Sequence, residues 1–159
     1  MTASPETDTS ARRADTSDSD ELARLRWIWR AVERGEKGDR DQFRRDFVTW
    51  VAEHHDTHKP FLLEVDGCAV GMAWLVVIER IPGPENWRRL AGFLQSAYVT
   101  PEHRNGGLGS LLLRELIAGA RREGLEYLSV HPSPLSFPFY RRLGFTGEGG
   151  LLFLALESD

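Results

Sequence analysis

The residues best able to do chemistry lie in one run, Arg104-Asn105-Gly106-Gly107-Leu108-Gly109-Ser110. Its glycines let a bulky anion come close to the main chain, and an apolar repeat at helical spacing comes next: Leu108, Leu111, Leu112, Leu116 and Ala120, widened by Leu113 and Ile117, with Ser110, Arg114 and Arg121 opposite. A helix starting there turns free N–H groups and the positive end of its dipole toward the glycines, so phosphate is the natural guest. The spacing narrows which phosphate ligand. Gly109 is followed by Ser110 with no lysine, unlike a Walker loop, and Leu112 stands where a dinucleotide fingerprint needs its third glycine.

Other reactive side chains have plainer roles. His54 and His58 are four apart with His55 beside them, a metal-like spacing, yet no nearby cysteine completes a set. With Lys59 they suit a helix C-terminus closed by Pro60, so no metal is expected. Cys68 comes just after a predicted turn with no histidine beside it and reads as an incidental or packed thiol.

The run from Arg104 to Gly109 resembles the Arg/Gln-x-x-Gly-x-Gly/Ala signature of the GNAT superfamily of N-acetyltransferases. Tyr98-Val99-Thr100-Pro101 is similar to the strand that leads into that signature. Phe139-Tyr140-Arg141-Arg142-Leu143-Gly144-Phe145 resembles the family's late Phe-Tyr-x-x-x-Gly-Phe segment. Two motifs at the right separation carry the resemblance, which runs loosely over nearly the whole chain.

The resemblance implies acetyl-CoA as cosubstrate. Backbone N–H groups of Asn105, Gly106, Gly107, Leu108, Gly109 and Ser110 would hold its pyrophosphate, with Arg104 adding a charge-assisted contact. The main chain at Tyr98 and Val99 would pair with the pantetheine arm like an added strand, and an unpaired N–H near Val99 would face the thioester oxygen. Tyr140 would protonate the leaving thiolate. Ser133 stands where many relatives place an asparagine that helps hold the arm. Many relatives also carry a carboxylate base on the Leu94–Val99 strand, which here has Gln95 and Ser96 and no acid. Glu79 ends an antiparallel neighbour, about 20–25 Å from Tyr98 by strand rise. That leaves His131 or a water chain to take the amine's proton.

The reaction implied is acetyl transfer to a primary amine of a small molecule or of a peptide or protein. The alternatives are a non-catalytic acyl-CoA-binding or sensing module and a generic nucleotide-binding domain. The acceptor pocket is expected from the Arg34–Arg40 link, the first helix with Trp27 and Trp29, and the Gly147–Gly150 turn. Glu36, Asp39 and Asp41 suggest a cationic acceptor. Homodimers are frequent in the family, and no residue pattern decides the matter here.

The rest of the chain supplies the framework for these groups. With 159 residues and 41% apolar content, one domain over residues 10–159 can bury about 70% of its unfolded surface. Net charge is −4 and pI about 5.8, with basic residues scattered, which argues against nucleic acid. The lone cysteine fits a reducing compartment, no apolar run reaches the ~18 residues of a membrane span, and the N-terminus is polar rather than signal-like, so a cytoplasmic protein is expected. Residues 1–9 read as a disordered tail, Ser10 to Ala14 as a short strand, and the segment from Glu21 to Gly35 as a helix burying Leu22, Leu25, Trp29 and Val32. A second helix carries Phe43, Phe47, Trp50 and Val51. Strands are predicted over 61–65, 69–78, 90–99, 126–131 and 151–156, with Asp66-Gly67 as a tight turn and a short helix from Phe137 to Leu143. The long helix between the fourth and fifth of these six strands forces them to lie parallel. The expected fold is α+β: a mostly antiparallel mixed sheet with helices on both faces and one splayed parallel pair.

Overall fold

Turn chemistry fixes the sheet's register. Asp66 and Gly67 take φ of 50° and 78°, the mirror-image turn whose twist suits a hairpin, and they join β2 (His58–Val65) to β3 (Cys68–Arg80). In the computed structural model, which describes residues 6–156, β1 (Thr9–Arg13) precedes them, and β4 (Arg89–Val99), β5 (Tyr127–Val130) and β6 (Leu152–Ala155) come after. The six strands stand side by side in chain order, antiparallel except for β4 against β5. Between them run α1 (Ser19–Trp27), which widens into a π-helical turn (Ile28–Glu33), α2 (Arg40–His54), α3 (Leu108–Arg122) and α4 (Phe137–Arg142).

Strand alternation sorts the core into two layers. Phe61, Leu63, Ala73 and Leu75 face α3, where Leu112, Leu113, Leu116, Ile117 and Ala120 meet them. Leu62, Met72, Trp74 and Tyr98 face the other way, against Leu22 and Leu25 of α1 and Val51 of α2. Leu111, expected on the buried stripe, is exposed, while Leu112, Leu113, Leu116, Ile117 and Ala120 of the same stripe are buried as expected.

Other expectations shift at the edges. The tail expected over residues 1–9 gives up Thr9, which pairs with Val65 in β1; residues 1–5 lie outside the described residues, as do 157–159 at the end of the expected domain. His58 belongs to β2, so α2 closes at His54 rather than holding all three histidines. The first helix does reach Gly35, but through the π turn, whose i→i+5 bonding advances less per residue than an α-helix. Val32, inside that turn, falls out of phase with a 3.6-residue stripe and is 68% exposed.

Two irregularities in β4 shape the open end of the sheet. Its register against β3 jumps between Tyr98↔Met72 and Gln95↔Trp74, so Ser96 and Ala97 together oppose one residue, Ala73. Ser96 sits at φ 54°, a bulge that bends the strand. Against β5, β4 pairs only at Gly92↔Leu128, Phe93↔Ser129 and Leu94↔Val130. Gly92 allows that approach: a Cβ there would lie 2.5 Å from Leu128, 2.7 Å from Leu125 and 2.7 Å from Leu75. All three leucines are buried, so their methyl groups would have to shift within the packed core. Gly92→Ala should therefore destabilise the fold by about 1–3 kcal/mol, read as a lower urea midpoint at unchanged slope.

Candidate active site

The parting of β4 and β5 opens a cleft of 1180 Å³. Gln95 to Val99 of β4 form one side, Val130 to Ser133 the other, and the loop before α3 closes the end. Asn105 and Gly107 both take left-handed backbone, φ 64° and 80°. Gly107 is the N-cap of α3 and no side chain caps the helix, so its first N–H groups are left for a guest. Tyr98, Val99, Arg104, Asn105, Gly107, Gly109, Ser110, His131, Ser133 and Tyr140 all line this cleft. Gly106 and Leu108, expected beside them, do not, and Leu108 packs on the core instead.

Arg104 is already engaged. Its Nε donates to the Val99 carbonyl (2.8 Å), its Nη2 pairs with Glu33 (3.0 Å), and the guanidinium lies 5.5 Å over the Tyr98 ring. The Tyr98 hydroxyl donates to the same Glu33 carboxylate, and the ring stacks on Trp29 at 5.3 Å. Burial, then the Glu33 carboxylate, holds the Tyr98 phenol well above its usual range. Sequence reasoning missed Glu33. Its place in the π turn brings it inward, and nothing in a helical repeat signals a π turn.

Tyr140 comes from α4, a single short helix fixed by rings: Phe139 at 5.2 Å and Phe145 at 5.5 Å, both edge-on. The residue is buried, and its hydroxyl has no hydrogen-bond partner among the described residues. Burial pushes the phenol up to about 12. His131, expected to end the fifth strand, comes directly after β5, with its ring against Phe93 at 5.7 Å. The Ser133 hydroxyl is within 2.7 Å of that of Ser136, so it is partly occupied within its own turn. Among the described residues lining the cleft there is no Asp or Glu. Glu79 faces Leu90, at the far end of β4 from Tyr98.

Two of the three acids expected to attract a cation are occupied, and the third, Asp41 in the first turn of α2, lines neither cavity. Glu36 pairs with Arg30, and Asp39 accepts the Gln42 N–H as N-cap of α2. Trp29 lines the cleft, Trp27 lines a smaller cavity beside α2, and the Gly147–Gly150 turn lines neither. No group of three or more His, Cys, Asp or Glu among the described residues is placed to hold a metal ion. The His54 Nδ1–H donates to the Trp50 carbonyl (2.8 Å) and the ring stacks on that indole. No helix among those residues is long and apolar enough to cross a membrane.

A helix N-terminus without a side-chain cap, a splayed parallel pair and a buried tyrosine on one wall agree with the likeness to known proteins. The sequence matches the acetyltransferase (GNAT) family over residues 20–145, and the chain belongs to that family. A curated relative, the glucosamine 6-phosphate N-acetyltransferase of Trypanosoma brucei brucei, is 31% identical over 87 residues, 55% of this chain. The match spans 57% of that relative's length. Among solved structures, a predicted acetyltransferase from Clostridium acetobutylicum with acetyl-CoA superposes with a TM-score of 0.70 at 19% identity, covering 89% of this chain and 92% of that one. A GNAT family acetyltransferase from Brucella melitensis in complex with acetyl-CoA gives 0.68 at 19% identity, covering 96% and 90%. At those identities the likeness is one of fold.

The Tyr140 phenol also contributes to stability. Unfolded it ionises near 10, folded only near 12, so its contribution is complete below pH 10 and is lost as pH rises through 12. Urea unfolding at pH 9 and pH 11.5 should show wild type losing about 2 kcal/mol more than Tyr140→Phe between the two.

Proposed function

We propose that the protein transfers an acetyl group from acetyl-CoA directly to a primary amine of a small molecule or of a peptide or protein. One observation carries the reading: the β4–β5 ladder stops at Leu94 and Val130, and the cleft continues from there to the uncapped start of α3, with buried Tyr140 on its wall. That run suits an extended thioester with a pyrophosphate at one end. The first N–H groups of α3 receive the diphosphate. Main-chain groups of β4 facing away from β3 take the pantetheine arm as a strand takes a neighbour.

The chemistry then needs few side chains. The amine nitrogen bonds to the thioester carbonyl carbon, and an N–H of the open stretch of β4 steadies the oxygen as charge builds on it. The C–S bond breaks, and the departing thiolate takes the Tyr140 proton. A phenol near 12 and a thiol near 8.5 make that transfer uphill in water, but burial in the same cleft raises the thiol as well. The amine's own proton leaves to His131 or to water at the cleft mouth.

The cleft wall without a carboxylate favours a second reading, a non-catalytic acyl-CoA-binding module. Release of free thiol from acetyl-CoA across a panel of amines separates the two: an amine-dependent rate is expected, and tight binding with no rate on any amine supports the binding module. Tyr140→Phe should lower kcat about 100-fold while the Kd for acetyl-CoA stays within about twofold. Equal turnover in both proteins removes the acid role.

A further inference from the structure

Next to the cleft lies a smaller cavity of 250 Å³, between the π turn and the start of α2, walled by Arg26, Trp27, Arg30, Lys37, Asp39 and Phe43 among others. That is just under the roughly 300 Å³ at which ligand pockets ordinarily begin, room for a small metabolite and not for a folded partner. Arg26 joins the two spaces. It lines the small cavity and donates through Nη1 to the Ser96 hydroxyl (2.8 Å), and Ser96 lines the large cleft at the bulge where β4 and β5 part.

The charges around this cavity do not balance. Glu36 is taken by Arg30, and Asp39 is held by the helix it caps. Lys37 makes no ion pair among the described residues. Arg26 is half-buried with no carboxylate upon it, only the Ser96 hydroxyl and the face of Trp29 at 5.2 Å. Two more guanidiniums, those of Arg30 and Arg34, lie against the same indole at 5.8 and 5.7 Å. Burial first, then the charge of Arg30, push the Arg26 guanidinium below its usual value. Glu36, itself paired with Arg30, offsets this only in part. A sheltered cation with no carboxylate in contact is costly, and an incoming oxyanion relieves that cost.

We propose that this cavity is the acceptor pocket and that the amine it accepts carries an oxyanionic group, phosphate or carboxylate, held by Arg26 and Lys37 while the amine reaches past Ser96 to the thioester. The proposal rests on the acetyl-transfer reading and reverses the cationic acceptor expected from Glu36, Asp39 and Asp41.

The test is thiol release from acetyl-CoA by the wild-type protein with matched amines: glucosamine 6-phosphate against glucosamine, and γ-aminobutyrate and putrescine each against n-butylamine. At least one anionic amine should show kcat/KM ten or more times that of its partner, and the pair in which this occurs separates phosphate from carboxylate. Arg26→Gln and Lys37→Gln should each raise KM for that amine at least fivefold with kcat changed little, and Arg26→Lys should recover part of the loss. Anionic amines used no better than their partners, putrescine preferred, or a preference unchanged in both Gln variants each overturn the acceptor proposal and leave acetyl transfer standing. No thiol release with any amine removes acetyl transfer, and the acceptor proposal falls with it.

Discussion

A parallel ladder that ends after three register pairs leaves main-chain donors and acceptors along one flank of β4 without a protein partner. The rest of the molecule is arranged around that interruption. The bulge at Ser96 bends β4 away, and Pro132, two residues past the end of β5, has no N–H and cannot extend the pairing. Gly92 leaves room for the Leu75, Leu125 and Leu128 side chains up to the point of parting. The opening is thus a short, sharply bounded slot in a well-packed sheet and not a loosening of it.

The two helical layers meet at this slot through one carboxylate. Glu33, from the π turn on the α1 side, receives both the Tyr98 hydroxyl of β4 and the Arg104 guanidinium of the loop before α3. The π turn is thereby tied to β4 and to the loop that follows it, some 65 to 71 residues on, at the α3 end of the cleft. The π turn is what aims Glu33 there, as π turns inside helices often do at working sites.

Much of this is legible in residue order. Asp66-Gly67 announces its hairpin, the apolar repeat after Gly109 announces α3, and a long helical crossover forces β5 parallel to β4. Arg104 to Ser110 and Tyr140 stand out by motif, and most of them line one cleft. What escapes depends on geometry that no local pattern encodes. A bulge at Ser96 looks like ordinary strand, and the π turn reads as a plain helix, which hides Glu33 and puts Val32 on the wrong face. Sequence also counts charges without pairing them. Glu36 and Asp39 look available in the chain, whereas Arg30 and the start of α2 hold them in the fold.

The bond from the Arg104 Nε to the Val99 carbonyl has a metric consequence. With one of that oxygen's two acceptor positions taken, an extended guest laid along β4 would find its first fully vacant rung one step nearer the bulge. The guest's hydrogen-bond phase is then counted from the loop inward, like notches from a stop. A tether of given length would arrive with its far end at one set depth, and the slot would then gauge length as much as charge.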